Sequence, residues 1–486
     1  MLLVHVFTPK IAHSSYLLVG RKSCAVVDPR RDVDVYLAHA RELGVRITHI
    51  LETHLHADFV SGHLDLVQAT GAAIYAPRVA GCAFDHVGVG AGDRIEIEDL
   101  RLDVLETPGH TPEHVCYVVT DTGRGDGPVG VFTGDTLFVG DVGRPDLFPG
   151  RAEDLARKLY HSLHDVLLGL PDHCEVYPAH GAGSLCGRAV GANYRTTIGY
   201  ERRYNAALQI LDEAEFVHSL TSDMPPAPDH FRRCSEINRR GPALLADLPP
   251  LIELSPAEFR AWSERVDAAV VDVRGYPAFA GVHVPGSFHL DLAGNFPTFA
   301  GWVVPPEADL LWVADGRDAA AEATLWARRV GLDGRAAYLA GGIAAWATSG
   351  YAVDHLHLVS AEDLHARVTG AEPIVLVDVR TPLEFRDSHI AGALNIPAPD
   401  LRARHTDLDP EKPIFLICSS GNRSGLAASL LRQRGFREVY NVAGGMTGYS
   451  EAGYARQCTV CENPHGSRYF AQIAGLQPGS NDRRTR

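Results

Sequence analysis

Apolar residues in this chain come in short runs bounded by turn residues. No run reaches the ~18 apolar residues that a membrane span needs. In the N-terminal region VHVFTPK, SSYLLVG and SCAVVDP read as early β-strands joined by tight turns. DVYLAHARELG has the spacing of an amphipathic helix, and RITHILETH is a strand that runs into His-rich sequence. PVGVFTGDTLF is a later strand that ends in an acid. The pattern is mixed α/β, with ligand-type side chains at strand ends, where open sheets place their sites.

The pattern then changes and repeats. Residues 253–350 and 359–454 carry the same elements in the same order. Each copy opens on a Ser-capped helix start, Ser255 or Ser360, with a capping-box pattern. Each runs into an apolar strand ending in Asp-Val-Arg, AAVVDVR at 268–274 and IVLVDVR at 374–380. HVPGSFHL then matches HIAGALNI, and LLWVADGRD matches IFLICSSGNRS. YLAGGIAAW and NVAGGMTGY close the two copies. Strands alternating with helices at this spacing predict two doubly wound, largely parallel sheets. Between the halves, 222–250 holds six prolines and little apolar periodicity, and it reads as a linker. The expected division is therefore 1–221, a linker at 222–250, 251–356, 357–456 and a tail at 457–486.

Composition adds limits. Of 486 residues 45% are hydrophobic and 22% charged, which excludes a chain that is mainly disordered. A net charge of −15 repels phosphate backbones, so neither nucleic acid nor a membrane is an expected partner. Nine cysteines, an odd and sparse set, suit a reducing cytoplasm better than a disulfide scaffold. The start, MLLVHVFTPK, has no charged stretch before a long apolar run, so no signal peptide is expected.

Four motifs stand at strand ends in the N-terminal region. The first is Thr53-His54-Leu55-His56-Ala57-Asp58-Phe59, in which an extended chain can turn His54, His56 and Asp58 to one side. The others are Thr107-Pro108-Gly109-His110, Thr133-Gly134-Asp135 and Pro178-Ala179-His180. Imidazoles with carboxylates suit Zn, Fe or Mn. In this order the set resembles the metallo-β-lactamase superfamily over about residues 1–210. The resemblance implies an αββα sandwich, two face-to-face sheets with helices outside. Dinuclear members carry HxHxDH, whereas this chain has Phe59 at the last position, and Phe offers no lone pair. That disfavours a dinuclear hydrolase of the glyoxalase II type.

What remains resembles the persulfide dioxygenase branch. It implies one Fe(II) held by His54, His110 and Asp135, with open positions for substrate and O₂; zinc there would be mis-loading. His56, Asp58 and His180 would then orient ligands or hydrogen-bond bound oxygen, or, with a different metal, ligate it themselves. In Gly143-Arg144-Pro145-Asp146 the resemblance places Arg144 and Asp146 near the substrate, Arg144 holding a carboxylate; the alternative is an Arg144–Asp146 loop pair. Cys186 is either a thiol near the iron or an inert buried cysteine.

The loop Cys418-Ser419-Ser420-Gly421-Asn422-Arg423 lies between an apolar strand and a helix. Backbone N–H groups and the helix N-terminus can point at the sulfur, and Arg423 adds positive charge. With the Asp-Val-Arg strand end and the closing Ala-Gly-Gly, residues 358–456 resemble a rhodanese, with Cys418 and Arg423 catalytic. The first copy reads Val313-Ala314-Asp315-Gly316-Arg317 here, so it resembles an inactive rhodanese serving as a spacer or docking surface. Cys458 and Cys461 form a C-x-x-C to which no function is assigned, and the tail reads as disordered.

Together the resemblances imply an enzyme that oxidises a thiol persulfide with O₂ to sulfite and thiol. Cys418 then passes sulfane sulfur to sulfite, giving thiosulfate. Small-molecule persulfide, O₂ and sulfite are the expected partners, in a cytoplasmic homo-oligomer. The alternatives are a metal-dependent thioester hydrolase and a sulfur-carrier or docking protein.

Overall fold

The computed structural model describes residues 1–457 apart from 223, 225, 226 and 371. Cys458, Cys461 and all of the tail but Gln457 lie outside the described residues. The chain divides into two compact units. One is Met1–Ile252 with Asn295–Leu310 and Ala321–Ala337. The other is Glu253–Gly294, Leu311–Ala320 and Tyr338–Arg486.

The first unit contains two six-stranded sheets. One runs in order through β1 (Leu2–Thr8), β2 (His13–Val19), β3 (Ser23–Val27), β4 (Arg46–Leu51), β5 (Ala73–Pro77) and β6 (Val87–Val89). The other comprises β7 (Arg94–Ile97), β8 (Leu100–Glu106), β9 (Val115–Asp121), β10 (Gly130–Gly134), β11 (Glu175–Pro178) and β12 (Thr196–Thr197). Strand alternation builds three apolar layers. In β2 and β3, Leu18, Ala25 and Val27 face the second sheet and pack with Leu102, Val119 and Phe132. Their neighbours Leu17, Cys24 and Val26 face outward, against Tyr36 and Ala40 of the helix Asp34–Leu43. Both faces are covered, which is why SCAVV reads as a continuous apolar run rather than an alternating one. On the far side, Val118, Val131 and Val176 pack under Leu159 of the helix Ala152–His161. This is the expected αββα sandwich.

The functional loops leave the C-terminal ends of β4, β8, β10 and β11. β3, β4 and β5 are parallel neighbours, as are β10 and β11. Their ends gather His54, His110, Asp135 and His180, as the strand-end rule for open sheets anticipates.

The expected linker is more than a linker. Residues 222–250 belong to the first unit and contain a helix, His230–Arg240. Its buried residues Phe231, Cys234 and Asn238 recur at helical spacing, and the prolines all fall outside it. The six prolines concealed a proline-free helix from a reading by composition.

The two C-terminal copies repeat one strand order. The second places β18 (His357–Val359), β19 (Val375–Asp378), β20 (Leu394–Asn395), β21 (Ile414–Ile417) and β22 (Val439–Val442) in the order β18-β22-β21-β19-β20, every pair parallel. The first copy's strands (β13–β17, from Ile252–Leu254 to Ala336–Leu339) follow the corresponding order. Capping boxes at Ser255 with Glu258 and Ser360 with Asp363 start the opening helices. No helix among the described residues is long and apolar enough to cross a membrane.

Candidate metal centre and cysteine loop

His54, His110 and Asp135 are fully buried, and their candidate ligand atoms lie within 4.8 Å of one another. His110 Nε2 is 3.3 Å from Asp135 Oδ2, and His54 Nε2 is 3.7 Å from it. None of these three atoms has a hydrogen-bond partner. A buried polar atom left unpaired costs about 1–3 kcal/mol, so three aimed at one point fit a bound cation.

The remaining atoms of each ligand are held. His110 Nδ1 lies 2.9 Å from the carbonyl of Arg144 and must carry the proton, which leaves the lone pair on Nε2. Thr53 Oγ1 donates to the Asp28 carboxylate at 3.0 Å. Its single proton is then used, so it accepts from His54 Nδ1 at 2.9 Å and the lone pair again sits on Nε2. Burial drives the pKa of His54 well below the usual imidazole value, and that of His110 below it, which favours the neutral form that binds metal.

Asp135 owes its direction to His180. Burial opposes its ionisation, but His180, His110 and His54 hold its pKa well below the carboxylate range. His180 Nδ1 is 2.7 Å from Asp135 Oδ1, and its Nε2 is 2.8 Å from Asp58 Oδ2. Between two carboxylates its pKa is raised well above 6.5 despite burial, so it is an imidazolium donating at both ends. Cys186 lies beside Asp58 and His180. Burial, then the nearby Asp58 and Asp135, push its thiol far up, so it is protonated. His56 turns to Asp28 at 3.1 Å and Glu52 at 3.6 Å. Burial opposes its charge, but Asp28 raises its pKa.

Two supports escaped the sequence reading. His114 Nε2 accepts the N–H of Asp135 at 3.0 Å, and burial lowers its pKa to about 3, so it stays a neutral acceptor. Gly134 has φ of 50°, and a Cβ there would meet His114 Nε2 at 2.4 Å and Thr53 Oγ1 at 2.6 Å. The second support is Asn238. Its amide donates to the carbonyls of His56 at 2.8 Å and Phe59 at 2.9 Å and accepts from Ser61 N–H at 2.8 Å. No local signal separates it from any polar helix residue; only its place over the metal loop does.

Arg144 does not present its guanidinium to a substrate as first expected. Its fork is closed on Asp146, two contacts of 2.7 Å, and on the Leu185 carbonyl at 3.0 Å, with the side chain buried. The loop pairing is the arrangement present, because a buried guanidinium needs a local carboxylate. The 730 Å³ cleft nearby is walled by Leu55, Ala57, Leu147 and Phe148, and by Phe231 and Arg232 of the helix His230–Arg240.

In the C-terminal copy Cys418 follows β21 directly and is buried. Gly421 N–H donates to its Sγ at 3.1 Å and the Ser424 hydroxyl at 3.3 Å. Arg423 does not face the sulfur with an open fork. It holds both oxygens of Glu384 at 2.7 Å and the Ser419 hydroxyl at 2.7 Å. It braces the loop rather than offering charge to an anion, because Glu384 neutralises it. In the first copy Ala314, not Asp315, is the residue directly after the strand, at the place of the sulfur.

Two sandwiched sheets with a buried His₂Asp centre, followed by duplicated parallel sheets of which one carries a cysteine loop, define a metal domain fused to a sulfur-handling pair. The chain belongs to the metallo-β-lactamase superfamily and carries two rhodanese-like domains behind that fold. The metallo-β-lactamase superfamily model matches residues 9–180, and the rhodanese-like domain model matches 255–349 and 360–452. The chain is similar to the mitochondrial persulfide dioxygenase ETHE1 of Mus musculus, 31% identical over 49% of this chain and 88% of that protein. It is also similar to a hydroxyacylglutathione hydrolase of Erythrobacter litoralis, 30% identical over 52% of this chain and 91% of the relative. A solved metallo-β-lactamase from Staphylococcus aureus covers 70% of this chain and 98% of its own, at 33% identity and a TM-score of 0.63.

Proposed function

We propose that the chain is a persulfide dioxygenase with a built-in sulfurtransferase. The metal domain converts a low-molecular-weight thiol persulfide such as glutathione persulfide, RSSH + O₂ + H₂O → RSH + SO₃²⁻ + 2 H⁺. Cys418 moves sulfane sulfur to sulfite, giving thiosulfate. Identity alone does not choose between the dioxygenase and hydrolase relatives, which match about equally. The supporting observation is where the unpaired ligand atoms converge. Nε2 of His54 and of His110 and Oδ2 of Asp135 are unpaired and lie within 4.8 Å of one another, whereas His56, although also without a hydrogen bond, sits against Asp28 and Glu52, and Asp58 spends one oxygen on His180. Phe59 has no lone pair, and both nitrogens of His180 face carboxylates.

One Fe(II) held by His54, His110 and Asp135 would supply the redox chemistry that joins persulfide and O₂. The protein's part is to fix both imidazole tautomers through Arg144 and Thr53, and to keep Asp135 ionised and aimed through His180 and His114. The sulfur is received when the Cys418 thiolate attacks the outer sulfur of a persulfide, whose S–S bond breaks with the pair leaving on the donor thiol. Sulfite then attacks the outer sulfur of Cys418–S–S⁻, and that bond's pair returns to Cys418. We place the protein in a reducing compartment, because Cys418 must remain a thiol between turnovers.

The test is oxygen uptake by iron-loaded full-length protein with glutathione persulfide, run beside S-lactoylglutathione cleavage. Uptake with sulfite formation supports the reading. Thioester cleavage without O₂ consumption overturns it in favour of the hydrolase.

A further inference from the structure

Arg423, the cation next to the sulfur, is spent on Glu384. A transfer to sulfite still needs a donor for the oxyanion, because sulfite is charged and strongly hydrated. The second unit offers one from an unexpected place, the copy that lacks the cysteine.

Residues Glu253–Gly294 of the first copy lie in the same compact unit as the Cys418 loop. They seat on the helix Asn422–Gln433, where His289 N–H donates to the Ser429 hydroxyl at 3.1 Å and Gln433 donates to the Gly286 carbonyl at 2.8 Å. Nη2 of Arg432 donates to both carboxylate oxygens of Asp354, near the end of the first copy, at 2.9 and 2.7 Å. At the loop itself stands Tyr276. Its ring abuts Gly421 so closely that a Cβ there would fall 2.8 Å from the ring carbons. Gly421 also has φ of 108°, so only glycine lets the ring approach and lets Gly421 N–H reach Cys418 Sγ. On the other side, the Tyr276 hydroxyl accepts the N–H of Gly444 at 3.2 Å. Gly444 opens the turn in which Met446 N–H donates to the Cys418 carbonyl at 2.7 Å. Tyr276 therefore touches both segments that hold the sulfur. The hydroxyl accepts from Gly444, and no acceptor for its own proton is found among the described residues.

We propose that Tyr276, supplied by the Cys-less copy, is a specificity residue of the Cys418 site that donates its hydroxyl hydrogen bond to an oxyanion acceptor such as sulfite. The inference rests on the sulfur-transfer reading of Cys418. The balanced step is Cys418–S–S⁻ + SO₃²⁻ → Cys418–S⁻ + S–SO₃²⁻. Sulfite's sulfur lone pair forms the new S–S bond, and the old S–S pair stays on Cys418. Cyanide is the natural control, Cys418–S–S⁻ + CN⁻ → Cys418–S⁻ + SCN⁻, because it has no oxygen to receive the hydroxyl.

The test compares full-length wild type with Tyr276→Phe, which keeps the ring on Gly421. Tyr276→Phe should lower kcat/KM for sulfite about tenfold, the loss of one hydrogen bond to a charged group, and leave cyanide turnover within about twofold. A parallel loss with both acceptors would make Tyr276 a purely structural prop, and no loss with either would remove it from the site; both overturn the proposal. Wild type inert with both acceptors would sink the sulfur-transfer reading instead. A readout without turnover keeps the two apart: alkylation of Cys418 by iodoacetate and by iodoacetamide, followed on its peptide by mass spectrometry. Tyr276→Phe should slow the anionic reagent relative to the neutral one, and an unchanged ratio counts against the donor role.

Discussion

Nδ1 of His180 lies 2.7 Å from Oδ1 of Asp135, and the imidazole's other nitrogen is held by Asp58. This contact turns a histidine that could have ligated a metal into the cation that aims the carboxylate.

His180→Gln should keep one donor to Asp135 but lose the charge, leaving Asp58 and Asp135 buried with less compensation. Iron affinity should fall by about 10–100-fold, the range for partners that orient metal ligands. Chelator competition followed by metal analysis checks it. Asp135→Ala should lose the iron altogether while sulfur transfer at Cys418 persists; full iron retention would remove Asp135 from the ligand set.

Asn238→Ala removes the hydrogen bonds to His56, Phe59 and Ser61 and leaves those buried backbone groups unpaired. It should destabilise the metal unit by about 2–4 kcal/mol, reckoned from the cost of buried unsatisfied groups. Urea unfolding gives the number. A change under about 0.5 kcal/mol, the size of an ordinary surface substitution, would mean the helix merely rests on the loop.

Glu384 should set an acid limb for the sulfur-transfer unit. Burial opposes its ionisation, but the Arg423 fork lowers its pKa to about 2 from an ordinary 4.5. The folded value is the depressed one, so the pair's stabilisation is complete above pH 4.5 and fades as pH falls through 2. Melting curves for wild type and Glu384→Gln should therefore differ by a constant amount from pH 5 to 8 and converge in acid. A gap that widens as pH falls would contradict the ion-pair account.

Cys418→Ser should leave O₂ uptake intact and shift the product from thiosulfate to sulfite. Ion chromatography of the products decides it; thiosulfate at the wild-type level would move the sulfur-transfer step away from Cys418.

The apolar pattern was enough for mixed α/β and for the duplicated parallel sheets, while the αββα layering came from the family resemblance. The short apolar runs of β2 and β3 and the duplicated strand order are local regularities that backbone geometry converts directly into sheets. The ligand candidates were legible too, because His54, His110, Asp135 and His180 each follow a strand end. The linker was misread, since proline content spoke for the whole segment while the buried face of 230–240 was a short helical signal within it. For Arg144 the sequence left open a substrate carboxylate or a loop pair with Asp146, and Arg423 was read as positive charge beside the sulfur. Their neighbours Asp146 and Glu384 claimed them first.

Element types, the duplication, the missing lone pair at Phe59 and the single sulfur loop are all legible in the order of residues. Those follow from spacing and from the chemistry of single residues. Which atoms remain unpaired is a property of the folded chain. Thr53 and Arg144 orient two imidazoles, His180 takes Asp135 and Asp58 together, and Tyr276 crosses from one copy to the cysteine loop of the other. Each of these relationships but Thr53's joins residues far apart in the chain. Burial presses most hydrogen-bonding atoms to find a partner, and which partner is near enough, or which atom is left for a metal, is settled only when the chain is folded.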